Sequence, residues 1–260
     1  MPATATLASE LPLDDVAAPS PFADLGRRVA AQPWEEISSA LHDGGCALIP
    51  GLLDAREARL LSALYDDDGL FRSRIVMARH NFGLGEYQYF RYPLPSPVQA
   101  LRSAFYAQLA PLANHWNAMM DIDVRYPATH AGFLRRCHDA GQVRPTPLLL
   151  RYGSGDYNCL HQDLYGEHVF PLQVAILLSE PGRDFTGGEF VLTEQRPRMQ
   201  SRPEVVPLCQ GDAVAFAVSQ RPVQGVRGPG HVYRVNLRHG VSRLRSGQRH
   251  TLGIIFHDAA

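Results

Sequence analysis

Short β-prone segments follow one another from about residue 145 to the C-terminus, and this pattern constrains the fold more than any other feature of the chain. The segments are rich in Leu, Val, Ala and Phe, and Gly, Pro and Asp residues separate them. They cover residues 147–151, 172–178, 189–192, 213–218, 232–237 and 251–256. Because short strands joined by turn residues are typical of antiparallel sheets, the pattern predicts a barrel or sandwich rather than alternating strands and helices.

The region before residue 145 carries helical patterns. Pro33 and the pair Gly44-Gly45 delimit a predicted helix over residues 34–42. A capping-box spacing from Asp54 to Glu57 predicts the start of a second helix that continues through Tyr65. These elements predict that helices flank the β core.

A longer helix and several strands are also predicted in this region. Residues 97–119 carry apolar side chains at intervals of three and four, and Pro111 predicts a break or kink inside that helix. The apolar run at 46–49 predicts a strand, and the aromatic residues and glycines of 75–92 predict strands with tight turns.

We therefore expect three parts of the chain. Residues 1–24 lack a sustained period and predict a flexible N-terminal arm. Residues 25–144 form a helical and mixed flanking region, and residues 145–260 form the β core, the two being integrated into one domain. The predicted fold class is mainly β with flanking helices.

Composition excludes several classes of function. All 25 basic residues are arginine, so a mechanism that needs a lysine is excluded. No apolar run approaches the roughly 20 residues that cross a bilayer. With no basic segment followed by an apolar one at the start of the chain, we expect a cytoplasmic protein without a membrane partner.

The four cysteines give no sign of a zinc knuckle or a disulfide framework. Their spacings are long and contain no C-x-x-C pair, so we expect them to be reduced and mostly buried. They are Cys46, Cys137, Cys159 and Cys209.

Charge is distributed unevenly along the chain. Residues 183–249 hold 11 arginines and 5 acidic residues, a balance of +6, whereas residues 1–182 hold 14 arginines and 20 acidic residues, a balance of −6. A positive field over the C-terminal half would attract anions, although arginines that only solvate long loops would give the same count. The arginines of 183–207 lie on a segment that is either a lid over a site or a solvated loop.

A candidate metal site begins with His161 and Asp163. Side chains two residues apart on a strand point to the same face, so both can reach a common point while Gln162 faces away. Two imidazoles and one carboxylate form the facial triad of non-haem iron oxygenases, which leaves positions open. We predict His239, on another strand, as the third ligand. His231 is a competitor that lacks an arginine ten residues later. Two other histidines are weaker candidates for a role in the site: His168 is either a substrate contact or a surface residue, and His250 alternates away from Arg249 and should point outward.

Arg249 is the reason for choosing His239. The segment from His239 can run along one strand, turn near Ser246-Gly247 and return on an antiparallel neighbour, which places Arg249 and Thr251 on one face. A guanidinium group binds a carboxylate through two parallel hydrogen bonds. A dicarboxylate could therefore chelate the metal at one end and reach Arg249 at the other.

These motifs resemble those of the Fe(II)- and 2-oxoglutarate-dependent dioxygenases over roughly residues 145–257. The stretch 151–155 ahead of 160–163 is similar to the Tyr-x-x-Gly to His-Gln-Asp region of AlkB-type demethylases. The stretch 185–190 resembles the Gly-Gly-Glu turn of prolyl-hydroxylase-like members, and 211–216 resembles the strand before the distal histidine.

The resemblance implies a double-stranded β-helix, or jelly-roll, core and a set of roles for individual residues. His161, Asp163 and His239 would bind Fe(II), and Arg249 and Thr251 would hold the distal carboxylate of 2-oxoglutarate, which Tyr152 would also contact. The activity would be hydroxylation or oxidative demethylation with release of succinate and CO2, with O2 as cosubstrate and ascorbate as a reductant. The flanking region would supply part of the substrate wall.

Two positions depart from the AlkB-type pattern. The second arginine, six residues after the cosubstrate arginine, is Ile255 here, and the asparagine two residues before the tyrosine is Leu150. These departures argue against a nucleic-acid partner and nucleobase demethylation. A nucleic-acid repair or modification demethylase is kept as an alternative. A further alternative is a non-oxidative cupin-like metal protein or a 2-oxoglutarate sensor. No motif in the sequence identifies the substrate, whether a small molecule or a macromolecule, or the oligomeric state.

Overall fold

The computed structural model of the chain describes residues 20–225 and 232–260. The predicted flexible arm lies mostly outside these residues, as does His231. The helices are α1 (Leu25–Ala30), α2 (Trp34–Gly44), α3 (Ala55–Ala63), α4 (Ser96–Met119) and α5 (His130–Asp139). None of the described helices is long and apolar enough to cross a membrane.

Most of the strands are short, as the sequence predicts, although one has 10 residues. They are β1 (Cys46–Ile49), β2 (Phe71–Val76), β3 (Gly83–Leu84), β4 (Glu86–Phe90), β5 (Leu148–Tyr152), β6 (Tyr157–His161), β7 (Leu172–Leu177), β8 (Phe185–Gly187), β9 (Phe190–Gln195), β10 (Arg202–Val206), β11 (Ala213–Ala217), β12 (Gln220–Gln224), β13 (Val232–Val241), β14 (Leu244–Gly247) and β15 (Arg249–Ile254).

Two antiparallel sheets form the core, which confirms the mainly β jelly-roll prediction. The larger sheet has the strand order β1-β11-β7-β15-β5-β4-β2. The smaller one has the order β10-β9-β13-β6-β3, with β12 also paired to β13, and β14 pairs with β8 apart from both. Side chains from both sheets line one internal cavity.

The flanking region contributes more than helices. Its strands β1, β2 and β4 extend the larger sheet and β3 extends the smaller one. Helices α2, α3 and α4 contact the larger sheet, and α1 packs on α4. The boundary at residues 144 and 145 remains a prediction, but strand pairing crosses it in both sheets.

Several local predictions are confirmed by the structure. Helix α2 and strand β1 occupy the predicted positions, and Asp54 and Glu57 form the capping box at the start of α3. The helix predicted over 97–119 is confirmed as α4, but a break at Pro111 is wrong, because α4 continues through that residue. Pro111 and Ala107 are both exposed, so water can satisfy the Ala107 carbonyl that loses its helical partner.

The predicted return strand from His239 to Thr251 is wrong. Strands β13 and β15 lie in different sheets, and β15 pairs with β5 and β7. Between them β14 pairs with β8, so the chain passes from one sheet to the other instead of turning back. Thr251 still shares a face with Arg249, because both residues lie on β15.

Candidate active site

His161 and His239 are brought together by strand pairing. Strand β6 ends at His161, and the register of β6 with β13 places His161 directly opposite His239. Asp163 follows two residues after His161, just past the end of the strand. The Gln162 side chain donates to the Leu237 carbonyl oxygen over 2.7 Å, which attaches this segment to β13.

The donor atoms of the three residues converge on one point. One ligand atom from each of His161, Asp163 and His239 lies within 4.8 Å of the others. Asp163 Oδ1 is 3.5 Å from His161 Nε2, and Asp163 Oδ2 is 3.4 Å from His239 Nε2. Donors about 2.1 Å from a divalent metal and at right angles to each other lie about 3.0 Å apart. The spacing therefore fits a single metal ion bound on one face.

Neighbouring groups orient two of these side chains. His161 Nδ1 donates to the Cys159 carbonyl oxygen over 2.8 Å, which leaves Nε2 free to face Asp163. The Tyr165 hydroxyl donates to Asp163 Oδ1, also over 2.8 Å. His239 is buried, and its Nδ1 makes no hydrogen bond within the described residues. Sequence reasoning missed Tyr165.

The protonation states suit a metal site. Burial acts to raise the pKa of Asp163, but the hydrogen bond and charge of His239, with His161 and Tyr165, hold it well below its usual range. Burial lowers the pKa of His239. At neutral pH the site therefore presents a carboxylate and a neutral imidazole, the forms that bind metals.

Arg249 is a buried cation without an anionic partner in the described part of the chain. Only 1% of its surface is exposed, and its Nη1 donates to Thr251 Oγ1 over 2.5 Å. Its Nε and the Tyr152 hydroxyl are buried and make no hydrogen bond within the described residues. Burial lowers the pKa of Arg249 to about 10, so it is charged at neutral pH. A buried charge is costly unless paired, which indicates that an anion binds here.

One cavity of about 300 Å³ connects these groups. It is lined at one position by His161, Asp163 and His239 and at another by Arg249, Thr251 and Tyr152. Apolar and aromatic side chains form most of the remaining wall: Phe82, Tyr87, Tyr89, Leu148, Leu150, Phe190, Phe216, Val241 and Ile255. The structure thus brings together all six site residues predicted from the sequence.

The weaker histidine candidates lie away from this cavity. His250 faces the other side of β15, but it packs against the Tyr65 ring at 5.7 Å between centroids rather than pointing into solvent. His168 lines a separate groove with Leu164 and Val124. Strand alternation predicted the direction of His250, but the covering residue comes from the flanking region and could not be predicted locally.

Two other expectations need correction. Residues 183–207 form neither a lid nor only a solvated loop, because β8, β9 and β10 lie within them and are paired in sheets. Cysteines are free but not mostly buried: Cys137 is buried, Cys46 is half-buried, and Cys159 and Cys209 are exposed.

Comparison with known proteins gives a family and several structural neighbours. Residues 85–259 match the family model Oxygenase-NA, described as an oxygenase catalysing oxidative methylation of damaged DNA. Uncharacterized protein Rv2227 of Mycobacterium tuberculosis is 48% identical over 171 residues, which are 66% of this chain and 72% of that protein.

Among solved structures, a Pseudomonas putida prolyl-4-hydroxylase has a TM-score of 0.52 at 15% identity, over 87% of this chain and 100% of that one. A prolyl hydroxylase from Trichoplax adhaerens, solved with a hypoxia inducible factor peptide fragment, has a TM-score of 0.54 at 14% identity, over 90% and 92% of the two chains. At these identities the structural likeness shows a shared fold.

Proposed function

The chain belongs to the Oxygenase-NA family, and we propose that it is a 2-oxoglutarate-dependent non-haem iron dioxygenase in which His161, Asp163 and His239 bind Fe(II). We further propose that Arg249 and Thr251 bind the distal carboxylate of 2-oxoglutarate, and that Tyr152 contacts the same molecule. The observation that carries this proposal is the buried Arg249 guanidinium, which forms no salt bridge with any described residue and shares a cavity with the three donors.

Iron and 2-oxoglutarate, when bound, react with O2 to give succinate and CO2 and supply the oxidising power. The protein holds the donors in the deprotonated forms that a metal requires. Arg249 fixes the position of the dicarboxylate, and the apolar wall excludes water from the reacting groups. The proposed outcome is hydroxylation of a substrate carbon, or demethylation where that carbon is attached to nitrogen or oxygen.

Turnover without substrate tests this proposal. Purified protein supplied with Fe(II), ascorbate and 2-oxoglutarate should release succinate, and Asp163→Ala should abolish the release. Asp123→Ala, which removes an exposed carboxylate, is the matched control and should retain it. If correctly metallated protein makes no succinate with any substrate mixture, the proposed oxygenase activity is wrong. The same result would support the cupin-like or sensor alternative.

A second candidate is repair of damaged nucleic acid, which the family description favours. The basic balance of residues 183–249 also favours it. The apolar side chains of Leu150 and Ile255 in the cavity wall oppose it, because they replace polar groups of the AlkB-type pattern.

Binding to single-stranded DNA at increasing salt tests this candidate. Phosphate contacts would give an affinity that falls steeply between 50 and 200 mM salt, by about 300-fold if six phosphates of a single strand are contacted. Stimulation of succinate release by a methylated oligonucleotide, but not by its unmethylated form, would support repair. Absence of binding at low salt would exclude it.

A further inference from the structure

Gln173 is a buried polar side chain that faces the cavity, and its carbonyl oxygen has no hydrogen-bond partner among the described residues. It lies on β7 in an otherwise apolar run, is 5% exposed, and lines the cavity. Its Oε1 makes no hydrogen bond within the described residues. A buried carbonyl oxygen without a donor is costly, and such groups are rare in native proteins. The position of Gln173 therefore indicates that a ligand supplies the missing donor.

Strand register separates Gln173 from the residues proposed to bind 2-oxoglutarate. On the larger sheet, Thr251 pairs with Leu177 and Gly253 pairs with Ala175. Gln173 lies two residues beyond Ala175 on the same face of β7, in the direction that leads away from Arg249. Ile255, one pleat beyond Gly253, lines the cavity in this part. The Arg249 clamp and the Gln173 carboxamide thus occupy opposite ends of the inner face, and one small dicarboxylate at Arg249 leaves Gln173 unpaired.

Within the part of the chain that the structure describes, the cavity wall carries no charge beyond the groups already assigned. Among the described lining residues, the charged groups at neutral pH are Asp163 and Arg249, beside the two metal-binding imidazoles. The remaining polar side chains are amides and hydroxyls: Asn158, Gln162, Gln173, Thr251, Tyr87, Tyr89, Tyr152 and Tyr165. A cationic or anionic group entering beside them would lose its hydration without gaining a counter-charge.

We propose that the part of the substrate entering this cavity is uncharged and donates a hydrogen bond from N–H or O–H to Gln173 Oε1. This inference rests on the proposed function, because it assumes that Arg249 and the three metal ligands are occupied by 2-oxoglutarate and iron. Amides, lactams, alcohols and neutral ring N–H groups have this chemistry. Carboxylates and ammonium or guanidinium groups do not.

Four probes of nearly equal shape separate charge from donor capacity. Benzamide is neutral and donates N–H, acetophenone is neutral and only accepts, benzoate is an anion, and benzamidinium is a cation that donates. Each is titrated by NMR into protein loaded with 2-oxoglutarate and Mn(II), a paramagnetic substitute that relaxes probe protons close to the metal. We expect benzamide to bind about fivefold to tenfold more tightly than acetophenone, the typical value of one hydrogen bond. Both charged probes should bind still more weakly.

Two variants at Gln173 test the assignment to this residue. Gln173→Leu should remove the preference for benzamide over acetophenone, while thermal melting shows that the variant is folded. Gln173→Glu should shift the preference to benzamidinium, since it places a carboxylate in the wall. The matched control Gln210→Leu removes a side chain that donates to the Leu178 carbonyl oxygen and does not line the cavity, so it should leave the benzamide preference unchanged.

The outcomes distinguish this inference from the proposed function. If Mn(II) fails to relax the protons of 2-oxoglutarate, the proposed site itself is wrong. If 2-oxoglutarate binds but the four probes bind equally, or acetophenone binds most tightly, the substrate inference is overturned. It is also overturned if Gln173→Leu weakens the binding of 2-oxoglutarate and not that of benzamide, because Gln173 would then belong to the cosubstrate site.

Discussion

At the scale of single residues, Arg249 gives two predictions of opposite sign. Replacement by methionine removes two charge-assisted hydrogen bonds to the proposed carboxylate, so the Kd for 2-oxoglutarate should rise by about 100-fold or more. Arg249→Lys keeps the charge but not the planar fork, so its effect should be intermediate. Equilibrium titration of the metal-loaded protein measures both.

The same change should raise the stability of the ligand-free protein. Arg249→Met replaces a buried cation that has no anionic partner in the described residues by an apolar side chain of similar volume. The thermal midpoint without ligand should therefore increase while cosubstrate binding is lost. Arg245→Met, at an exposed position on β14, is the control. It should change neither the thermal midpoint nor the affinity for 2-oxoglutarate much. A lower midpoint for Arg249→Met would show that Arg249 is structural.

Tyr165 should act as a positioning residue for Asp163. Its hydroxyl donates a hydrogen bond to Asp163 Oδ1, which favours metal binding through Oδ2. Loss of such an orienting hydrogen bond typically lowers metal affinity by about 10- to 100-fold, and Tyr165→Phe should show that loss in a Co(II) titration. Tyr89→Phe changes a hydroxyl that contacts Tyr165, so it serves as the matched control and should have a smaller effect. Equal affinity for Tyr165→Phe and wild type would contradict this role.

The residues predicted from the sequence are those that strand periodicity can connect. His161 with Asp163, and Arg249 with Thr251, are each two residues apart, and a strand has a period of two. Tyr165 and Gln173 were missed because their roles depend on which cavity they face. For Gln173 a signal was present, since it is the one polar residue in the apolar run 172–178 that precedes Ser179.

At the scale of elements, Arg221 joins β12 to the C-terminal end of α2 and to β9. Its guanidinium donates to the His42 and Asp43 carbonyl oxygens over 2.6 and 2.7 Å and pairs with the buried Glu194 carboxylate. Helix C-termini leave carbonyl groups without intrahelical partners, and Arg221 satisfies two of them.

Replacing Arg221 should therefore destabilise the fold strongly. Arg221→Met leaves the Glu194 carboxylate buried with weaker partners, and breaking such a pair costs about 3 kcal/mol or more. Urea unfolding measures this loss. Arg196→Met removes the exposed partner of the same carboxylate and should cost about 1 kcal/mol or less. Similar losses for both variants would mean that burial does not govern the strength of the pair.

Elements with local signals were predicted well, and those that depend on distant pairing were not. Helix α2 and the Asp54–Glu57 capping box follow from residues within one or two turns. The path from His239 to Arg249 was wrong because β14 pairs with β8, about 60 residues earlier in the chain. Pro111 was expected to interrupt α4, but its cost depends on exposure of the preceding turn, which the sequence does not display.

At the scale of the whole molecule, the C-terminal residues are tied to the flanking region by buried polar groups. Arg102 of α4 donates to the carbonyl oxygens of Ile255, Phe256 and His257, and it pairs with Asp258, both side chains being fully buried. His130 of α5 is hydrogen-bonded to the Phe256 carbonyl oxygen over 2.8 Å. The strand that carries Arg249 is thus continued by a segment whose position depends on α4 and α5.

Buried histidines in this framework make stability depend on pH. Burial lowers the pKa of His130 to about 3, and those of His250 and His257 to about 4. In the unfolded chain each titrates near 6.5, so between pH 6.5 and 4 the unfolded state binds more protons than the folded state. Stability contributed by these groups is therefore complete above pH 6.5 and is lost as pH falls through this window.

For the metal-free protein, the free energy of unfolding should fall steeply from pH 6 to pH 5. Each proton taken up on unfolding contributes about 1.4 kcal/mol per pH unit, so nearly three protons give roughly 4 kcal/mol per unit. Urea unfolding at closely spaced pH values measures the slope. His250→Gln removes one titrating group, which packs against the Tyr65 ring, and should lower the slope by about one proton. An unchanged slope in this variant, or a flat profile in wild type, would mean that these histidines are already charged in the folded protein.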